Sequence, residues 1–220
     1  MLMVRLKMLM RVLVSNINVG RVAITDGMDE AAVDLLIGAG HEVVAEHYPV
    51  DELLSGVLGG FDAVVVRSAT KITSEVIECS STTGSSLGFI GRAGVGVDNI
   101  DIKSATESGI LVCNTPAAST RSVVELTIGH FLASTRAIAR ADRSLREGKW
   151  LKKELKGTEI GGKRLGLVGI GRISKGVAEA ARALGMEVHG YDPYVTDPPE
   201  WINIHHDIDD LFRTCTHVSV

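Results

Sequence analysis

The chain contains the stretch Val168-Gly169-Ile170-Gly171-Arg172-Ile173-Ser174, from which the architecture of its second half is inferred. The segment 163–168, which is apolar over residues 166–168, precedes the glycines, and an alanine-rich stretch, residues 175–184, follows them. This order predicts a strand, a glycine turn and a helix. In such a turn the first glycine permits a tight bend. The second lets a pyrophosphate approach the backbone at the positive end of the helix.

Gly-x-Gly pairs are weak evidence by themselves, because a chain with 24 glycines has about two or three such pairs by chance. Three occur here, at Gly38/Gly40, Gly94/Gly96 and Gly169/Gly171. The first of them fits the end of a helix. The third has the context that a nucleotide site requires, and a plain strand-turn-helix without a cofactor is the alternative interpretation.

An acidic residue supports the nucleotide interpretation. Asp192 follows the predicted strand 187–191, about 20 residues after the turn, where a carboxylate holds a ribose hydroxyl. The same charge would repel the extra phosphate of NADP, so we predict NAD as the cofactor, bound at Gly169, Gly171 and Asp192. Ser174 takes the position of the third glycine in this motif, which predicts a slight shift in helix packing and not the loss of the site.

The first half of the chain alternates short apolar runs with helical stretches. Strands are predicted at residues 22–26, 41–45, 63–66, 87–90 and 110–113, and helices at residues 29–39 and from Pro49 onward. This alternation predicts an α/β fold with parallel sheets. Residues 11–15 compete for the place of the first strand, but helix-start signals directly follow 22–26. Residues 80–86 are polar and rich in turn formers, so they are predicted to form a mobile loop.

The pattern changes after Asn114-Thr115-Pro116. Ser122 and Glu125 fit a capping box, and apolar residues at helical spacing then predict one long helix over residues 122–147. We predict a first domain over residues 1–115, with an N-terminal extension, and a second over residues 116–220, entered by this linker helix. Strands of the second domain are predicted at 163–168, 187–191 and 217–220, the last being its third strand, with a short helix at 207–212.

Composition argues against several function classes. The net charge of −4 gives no reason to expect nucleic acid or an anionic membrane as a partner. The apolar N-terminus is interrupted by Arg5, Lys7 and Arg11, and no stretch is long enough to span a bilayer, so a cytoplasmic protein is predicted.

The cysteines and histidines do not form a metal-binding motif. The three cysteines form no Cys-x-x-Cys pair, and the adjacent His205 and His206 are not part of a metal-ligand pattern in the sequence. No metal site is predicted, and none of the seven histidines is assigned a partner.

Several segments in a fixed order resemble one family. They are residues 66–71 (Val-Arg-Ser-Ala-Thr-Lys), 91–101 (Gly-Arg-Ala-Gly-Val-Gly-Val-Asp-Asn-Ile-Asp), 114–116, 141–150, 157–159, the glycine turn and 190–194 (Gly-Tyr-Asp-Pro-Tyr). Over residues 21–220 the chain is similar to the D-isomer-specific 2-hydroxyacid dehydrogenases, and among these to the phosphoglycerate dehydrogenases. The resemblance implies a flavodoxin-like substrate domain followed by an incomplete Rossmann NAD-binding domain, of which only the first half is present.

The resemblance also implies substrate ligands. Arg67, Ser68 and Arg92 match the loops that bind the anionic ends of the substrate, and arginine suits both a phosphate and a carboxylate. The implied partner is a small 2-hydroxy acid that carries a phosphate.

Further cofactor contacts follow from the same resemblance. Val95 matches a loop on the nicotinamide side, and Arg172 with Ile173 matches the pair that covers the pyrophosphate. The NAD domains of relatives pair along the long helix, so a homodimer or higher oligomer is expected.

The implied reaction is the NAD-dependent oxidation of 3-phosphoglycerate to 3-phosphohydroxypyruvate in serine biosynthesis. The family's catalytic Arg, Glu and His are expected beyond Val220. This chain alone is therefore predicted to be inactive, either as a piece of a longer protein or as a truncated relative. A glyoxylate or hydroxypyruvate reductase of the same family is the alternative reaction. A non-enzymatic, corepressor-like module that binds NAD is the alternative of another class.

Overall fold

The computed structural model describes residues 20–82 and 84–220. These residues divide into two compact units, the first ending at Ser119 and the second beginning at Thr120. The alternative first strand at residues 11–15 lies outside the described residues. Among the residues that are described, no helix is both long and apolar enough to cross a membrane.

Unit 1 is built on a parallel sheet of five strands. Their bounds are β1 Arg21–Ile24, β2 Glu42–Ala45, β3 Ala63–Val66, β4 Phe89–Arg92 and β5 Leu111–Asn114. Neighbouring strands follow the order β2-β1-β3-β4-β5, and each pair is parallel. This is the strand order of flavodoxin-like sheets, so the predicted fold class is confirmed for this unit.

The central strand β3 shows why the sheet is covered on both faces. Val64 and Val66 belong to one apolar cluster, whereas Ala63 and Val65 belong to another, and all four side chains are buried. A strand buried on both faces forms a continuous apolar run, which is why residues 63–66 were predicted correctly. The strands are connected by helices α1 Glu30–Gly38, α2 Val50–Leu54, α3 Ser74–Ser80 and α4 Ile102–Glu107, with a 3-10 turn at Val57–Gly60.

Parts of unit 1 differ from the prediction. Helices α3 and α4 were not predicted, because each is too short to show an apolar periodicity. Ser80, assigned to a mobile loop, is the buried last residue of α3. Its carbonyl accepts a hydrogen bond from the Ser85 hydroxyl, and the Ser86 amide donates to Gly59 O at 3.1 Å. Hydrogen bonds therefore anchor both ends of this loop.

Unit 2 contains a parallel sheet of four strands in the order β8-β7-β6-β9. Their bounds are β6 Arg164–Val168, β7 Glu187–Tyr191, β8 Asn203–Ile204 and β9 His217–Ser219. Numbered within the unit, the order is 3-2-1-4, which matches the first four strands of a Rossmann sheet. The prediction that residues 217–220 form the third strand was wrong, because β8 precedes them. A strand of two residues carries no alternation from which it could be predicted.

The helix predicted over residues 122–147 is two helices in the structure. The helices of unit 2 are α5 Thr120–Thr135, α6 Ile138–Arg146, α7 Arg172–Ala183 and α8 Ile208–Thr214. Ala137 separates α5 from α6 in a left-handed conformation, with a φ of 51°. The Thr158 amide donates to Thr135 O at 2.8 Å and so occupies a carbonyl at the end of α5. The helix ends at a contact that is distant in sequence, so no local signal predicted the break.

The predicted capping box was also wrong. Helix α5 begins at Thr120, so Ser122 lies inside its first turn and is not the N-cap. The Glu125 carboxylate instead forms an ion pair with Arg121 at 2.9 Å on the exposed face of the helix.

Candidate functional site

The glycine turn of unit 2 joins β6 to α7. Gly169 has a φ of 87°, which disfavours any residue with a Cβ, whereas Gly171 is the N-cap of α7 with a φ of −78°. A Cβ on either glycine would meet no atom within 4 Å, so the space beside both is open. The first amides of a helix have no partner within that helix and are free to bind an anion. This geometry fits a pyrophosphate, and the assignment of both glycines to it stays a prediction.

The next two residues form the first turn of α7. Arg172 is exposed, and Ile173 is half-buried against the core of unit 2. Both lie at the end of the helix that a pyrophosphate would approach, but their covering of that group stays a prediction.

Asp192 lies directly after β7 and reaches the glycine turn. Its Oδ2 accepts a hydrogen bond from the Ile170 amide at 2.8 Å, and its Oδ1 accepts one from the Tyr194 amide at 2.9 Å. These backbone hydrogen bonds, with that from Ile170 the strongest cause, lower the pKa of the Asp192 carboxyl. Each carboxylate oxygen can accept a second hydrogen bond. The carboxylate is therefore fixed, ionised and still able to bind a ribose hydroxyl.

Two close approaches hold the turn in place. Ile170 is buried, and a Cβ on Gly190 of β7 would lie 2.7 Å from its Cδ1. A Cβ on Gly176 of α7 would lie 2.7 Å from Cγ2 of Val124 in α5. The position of the motif's third glycine, which serves packing of the helix against the strand, is taken by Ser174, which is half-buried. The close approach at Gly176 is with another helix. Sequence reasoning missed Gly176 and Gly190, because the residues they contact are distant in the chain.

In unit 1 the predicted anion-binding residues follow two neighbouring strands. Arg67 and Ser68 come directly after β3 and are exposed, and Arg92 is the last residue of β4. The two strands are parallel, with Val66 paired to Arg92. The structure therefore brings all three residues to the carboxyl edge of the sheet, where ligands bind in doubly wound folds.

The side chain of Arg92 lies over Gly94. A Cβ on Gly94 would fall 1.5 Å from Arg92 Nη1, so only glycine leaves room for the guanidinium group. Within the described residues, the buried Nε of Arg92 has no hydrogen-bond partner. A buried N–H of a cation that lacks an acceptor fits an anion supplied by a ligand.

Val95 lies in the loop that follows Gly94. Its carbonyl accepts a hydrogen bond from Asn114 Nδ2 at 2.6 Å, and the Thr115 amide donates to Gly94 O at 2.9 Å. These bonds attach the loop to the end of β5. The side chain of Val95 is 37% exposed, so it is available to a ligand, and its contact with a nicotinamide stays a prediction.

Sequence reasoning missed a chain of hydrogen-bonded side chains in unit 2. His189 Nδ1 lies 2.9 Å from His205 Nε2, and His205 Nδ1 lies 2.5 Å from Asp210 Oδ2. The assumption that these histidines have no partners was therefore wrong. Burial lowers the pKa of His189, although the Glu187 carboxylate opposes this effect. The residues come from β7, the segment after β8 and α8, so no local spacing could predict the cluster.

The sequence matches a known family over most of its length. A profile of the D-isomer specific 2-hydroxyacid dehydrogenase family, catalytic domain, matches residues 22–214. The chain belongs to this family. Hydroxypyruvate reductase of Thermotoga maritima is 46% identical over 204 residues, which cover 91% of this chain and 64% of that relative. D-3-phosphoglycerate dehydrogenase of Methanocaldococcus jannaschii is 47% identical over 175 residues, which cover 80% of this chain and 32% of that relative. The chain thus spans less than two thirds of the length of either curated relative.

Solved structures of similar proteins share the fold. The TT0316 protein of Thermus thermophilus superposes with a TM-score of 0.80 at 30% identity, over 90% of this chain and 63% of that one. The NAD+-bound 3-phosphoglycerate dehydrogenase of Entamoeba histolytica superposes with a TM-score of 0.71 at 33% identity, over 90% of this chain and 61% of that one. The predicted family and the predicted α/β fold are both confirmed.

Proposed function

We propose that this chain binds NAD and serves the oxidation of 3-phosphoglycerate to 3-phosphohydroxypyruvate, in serine biosynthesis in the cytoplasm. The observation that carries the proposal is the hydrogen bond of 2.8 Å from the Ile170 amide to Asp192 Oδ2. It holds a carboxylate beside an open glycine turn, an arrangement that accepts the ribose and pyrophosphate of NAD and repels a 2′-phosphate. NAD, when bound, supplies the acceptor for the hydride that leaves the substrate carbon.

The residues of unit 1 supply the positive charge for the substrate. 3-Phosphoglycerate carries a phosphate at one end and a carboxylate at the other, and Arg67 and Arg92 lie at neighbouring strand ends. Arginine binds either group through two parallel N–H bonds, and Ser68 adds a hydroxyl donor. These residues bind and orient the substrate. We assign the uptake of the hydroxyl proton to none of these residues.

Reduction of hydroxypyruvate or glyoxylate is the second candidate reaction. The relative from Thermotoga maritima, at 46% identity, is a hydroxypyruvate reductase, and this supports the alternative. Hydroxypyruvate lacks a phosphate, so a single arginine is enough to pair with its one carboxylate. The presence of both Arg67 and Arg92 at the same sheet edge is why we favour the phosphorylated substrate.

Steady-state kinetics of the full-length protein distinguish the two reactions. kcat/KM is compared for NADH-dependent reduction of 3-phosphohydroxypyruvate and of hydroxypyruvate, and oxidation of 3-phosphoglycerate is measured with NAD. The proposal expects a preference of about a hundredfold or more for the phosphorylated compound, because hydroxypyruvate leaves one of the two arginines without an anionic partner. A larger kcat/KM for hydroxypyruvate would contradict it. NADH binding without turnover of any of these compounds would instead favour the corepressor-like module.

We also propose that two copies of the chain pair through unit 2. Large apolar side chains are exposed on α5, on α6 and just after them: Leu126 is 60% exposed, Leu145 56% and Trp150 76%. Apolar surface of this kind favours association. Light scattering on the purified protein is expected to give at least twice the mass of one chain, with Trp150→Glu shifted toward monomer. A monomeric wild-type protein would contradict the pairing.

A further inference from the structure

A carboxylate from another strand holds the loop over residues 67–70. Asp26, just after β1, accepts hydrogen bonds from the Arg67 amide at 2.6 Å, the Thr70 amide at 3.1 Å and the Thr70 hydroxyl at 2.5 Å. Thr70 Oγ1 also lies 2.8 Å from Thr25 Oγ1, and both threonines are buried. The amide side of the loop is therefore attached to the end of β1.

A carboxamide holds the carbonyl side of the same loop. Asn99 Nδ2 donates to Arg67 O at 2.9 Å and to Thr70 O at 2.8 Å. Asp26 thus satisfies amides of the loop, and Asn99 satisfies its carbonyls. The backbone that carries Arg67 and Ser68 is fixed by both contacts, while their side chains remain exposed. Sequence reasoning gave neither Asp26 nor Asn99 a role at this loop.

The carboxylate of Asp26 lies beside Arg67, a residue proposed to bind an anion. Like charges repel at short range, so a carboxylate beside Arg67 by itself weakens the binding of an anionic substrate. Burial raises the pKa of Asp26, but hydrogen bonds from Thr70, Arg67 and Ala69 outweigh burial and leave the pKa below its usual value. The negative charge is therefore retained near neutral pH, and its effect there is to hold the loop.

The place of Asp26 in the sheet supports the same role. The order β2-β1-β3-β4-β5 reverses between β1 and β3, and ligands of doubly wound sheets bind at such a reversal. Asp26 follows β1 and Arg67 follows β3, so their hydrogen bond of 2.6 Å crosses this point. The contact fixes the loop after β3 where a ligand would arrive.

We propose that Asp26 and Asn99 are positioning residues for the substrate anion, because they fix loop 67–70 so that Arg67 and Ser68 meet the anion in a preset geometry. This inference rests on the proposed function, since it takes Arg67 and Ser68 as substrate ligands. A preset loop loses less conformational entropy on binding, so its attachment changes affinity as well as stability.

Asp26→Asn gives a result whose sign is diagnostic. The variant removes the negative charge and keeps one side-chain oxygen as an acceptor. If Asp26 were only a neighbouring charge, its neutralisation would strengthen anion binding. As a positioning residue, its loss weakens binding by about tenfold, and Asp26→Ala weakens it further. Asn99→Ala is expected to weaken binding to a similar degree, and no charge changes in that variant.

Asp62→Asn is the matched control. Asp62 precedes β3, and its Oδ2 accepts hydrogen bonds from the amides of Gly20 at 3.2 Å and Arg21 at 2.7 Å. Like Asp26, Asp62 is a carboxylate that links β1 and β3 through backbone amides, but it does so at the amino edge of the sheet. This variant is expected to lose stability comparably and to keep the affinity for the anion.

Calorimetric titration of 3-phosphoglycerate into the NADH-saturated, full-length protein tests the inference, at a temperature where thermal melts show every variant folded. The Kd from this titration is expected to rise about tenfold in Asp26→Asn and Asn99→Ala and to stay unchanged in Asp62→Asn. In a separate steady-state assay with NAD, the KM for 3-phosphoglycerate is expected to rise by the same factor, with kcat within about twofold. Unchanged or tighter binding by Asp26→Asn, or equal weakening in Asp62→Asn, would overturn the positioning role. A wild-type protein that does not bind 3-phosphoglycerate would overturn the proposed function itself.

Discussion

The two glycines of the turn between β6 and α7 differ in backbone conformation. Gly169 has a φ of 87°, and only glycine adopts this conformation without strain. Gly171 has a φ of −78°, which suits any residue, and its contribution is the open space beside it. The left-handed conformation is thus required at Gly169, and the open space lies beside Gly171. Substituting each glycine alone tests the two effects separately.

We expect Gly169→Ala to lower the free energy of unfolding by about 1–2 kcal/mol, because alanine is strained in the left-handed region. Gly171→Ala should change it by less than about 0.5 kcal/mol, because its Cβ meets no atom. Urea unfolding followed by circular dichroism measures both. Equal losses at the two positions would contradict the described turn.

Asp192→Asn should change the preference between dinucleotides. Asparagine keeps an oxygen that can accept the Ile170 amide, but it lacks the charge that repels a 2′-phosphate. The ratio of the Kd for NADPH to the Kd for NADH should fall by about tenfold or more. Fluorescence titrations with both dinucleotides measure the ratio, and Asp197→Asn, at an exposed carboxylate nearby, is the control. The idea fails if both variants keep the wild-type ratio.

Residues at a fixed spacing within a local motif could be predicted from the sequence. Contacts between segments that are distant in the chain could not. Gly169 and Asp192 stand at positions that the strand-turn-helix-strand unit determines, so the sequence located both. Asp26 lies 41 residues from Arg67, and the two meet only because β1 and β3 are neighbours in the sheet. The hydrogen bond that attaches loop 67–70 to Asp26 could therefore be found only in the structure.

Helix α7 packs closely against α5 at Gly176. A Cβ on Gly176 would lie 2.7 Å from Val124 Cγ2, so the two helices approach where one residue has no side chain. Gly129, in α5, has no atom within 4 Å of a built Cβ. The same substitution in these two helices therefore has opposite consequences.

Gly176→Ala is expected to lower the free energy of unfolding by about 1–3 kcal/mol through overpacking. Gly129→Ala should raise it by about 0.5–1 kcal/mol, because alanine has the higher helix propensity. In a Val124→Ala background the cost of Gly176→Ala should largely disappear, and this double-mutant cycle isolates the contact. Additive effects of the two substitutions would show that the helices do not meet there.

The strands were easier to predict than the helix ends. The strand at residues 63–66 was predicted at its observed bounds because its apolar run is continuous, and so was the strand at residues 187–191. The break at Ala137 depends on the Thr158 amide, which reaches the end of α5 from another segment. A local pattern carries no information about such a contact, so the sequence predicted one helix instead of two.

The histidine cluster makes the stability of the folded protein depend on pH. Burial holds the pKa of His189 below its usual value of 6.5, with only partial opposition from Glu187. The unfolded chain therefore binds a proton more readily than the folded chain once the pH falls below this value. Stability from this group is present at higher pH and is lost as the pH falls from 6.5 toward the lowered pKa.

The free energy of unfolding should therefore fall between about pH 7.5 and about pH 5.5 in the wild type, and less so in His189→Gln. Urea titrations at both pH values measure the two differences. His130→Gln, at an exposed position of α5, is the control and should keep the wild-type pH dependence. A pH dependence in His189→Gln as large as that of the wild type would contradict the assignment.

The alternation of strands and helices predicted both parallel sheets, and the family resemblance predicted their flavodoxin-like and Rossmann character. The strand order within each sheet and the place of β8 depend on pairing between distant segments. The sequence therefore predicted the two-part architecture, whereas the packing that positions the predicted cofactor residues came from the structure.

Binding of NADH to this chain would show whether the glycine turn holds the pyrophosphate of the cofactor. Fluorescence titration of the wild type is compared with Gly171→Ala, and with Gly161→Ala as the control, because a Cβ at position 161 also meets no atom within 4 Å. We predict saturable binding by the wild type and Gly161→Ala. Gly171→Ala should bind at least about tenfold more weakly with unchanged stability, because its methyl group takes the space of the pyrophosphate. Equal NADH affinity in all three proteins, or no binding by the wild type, would contradict the account.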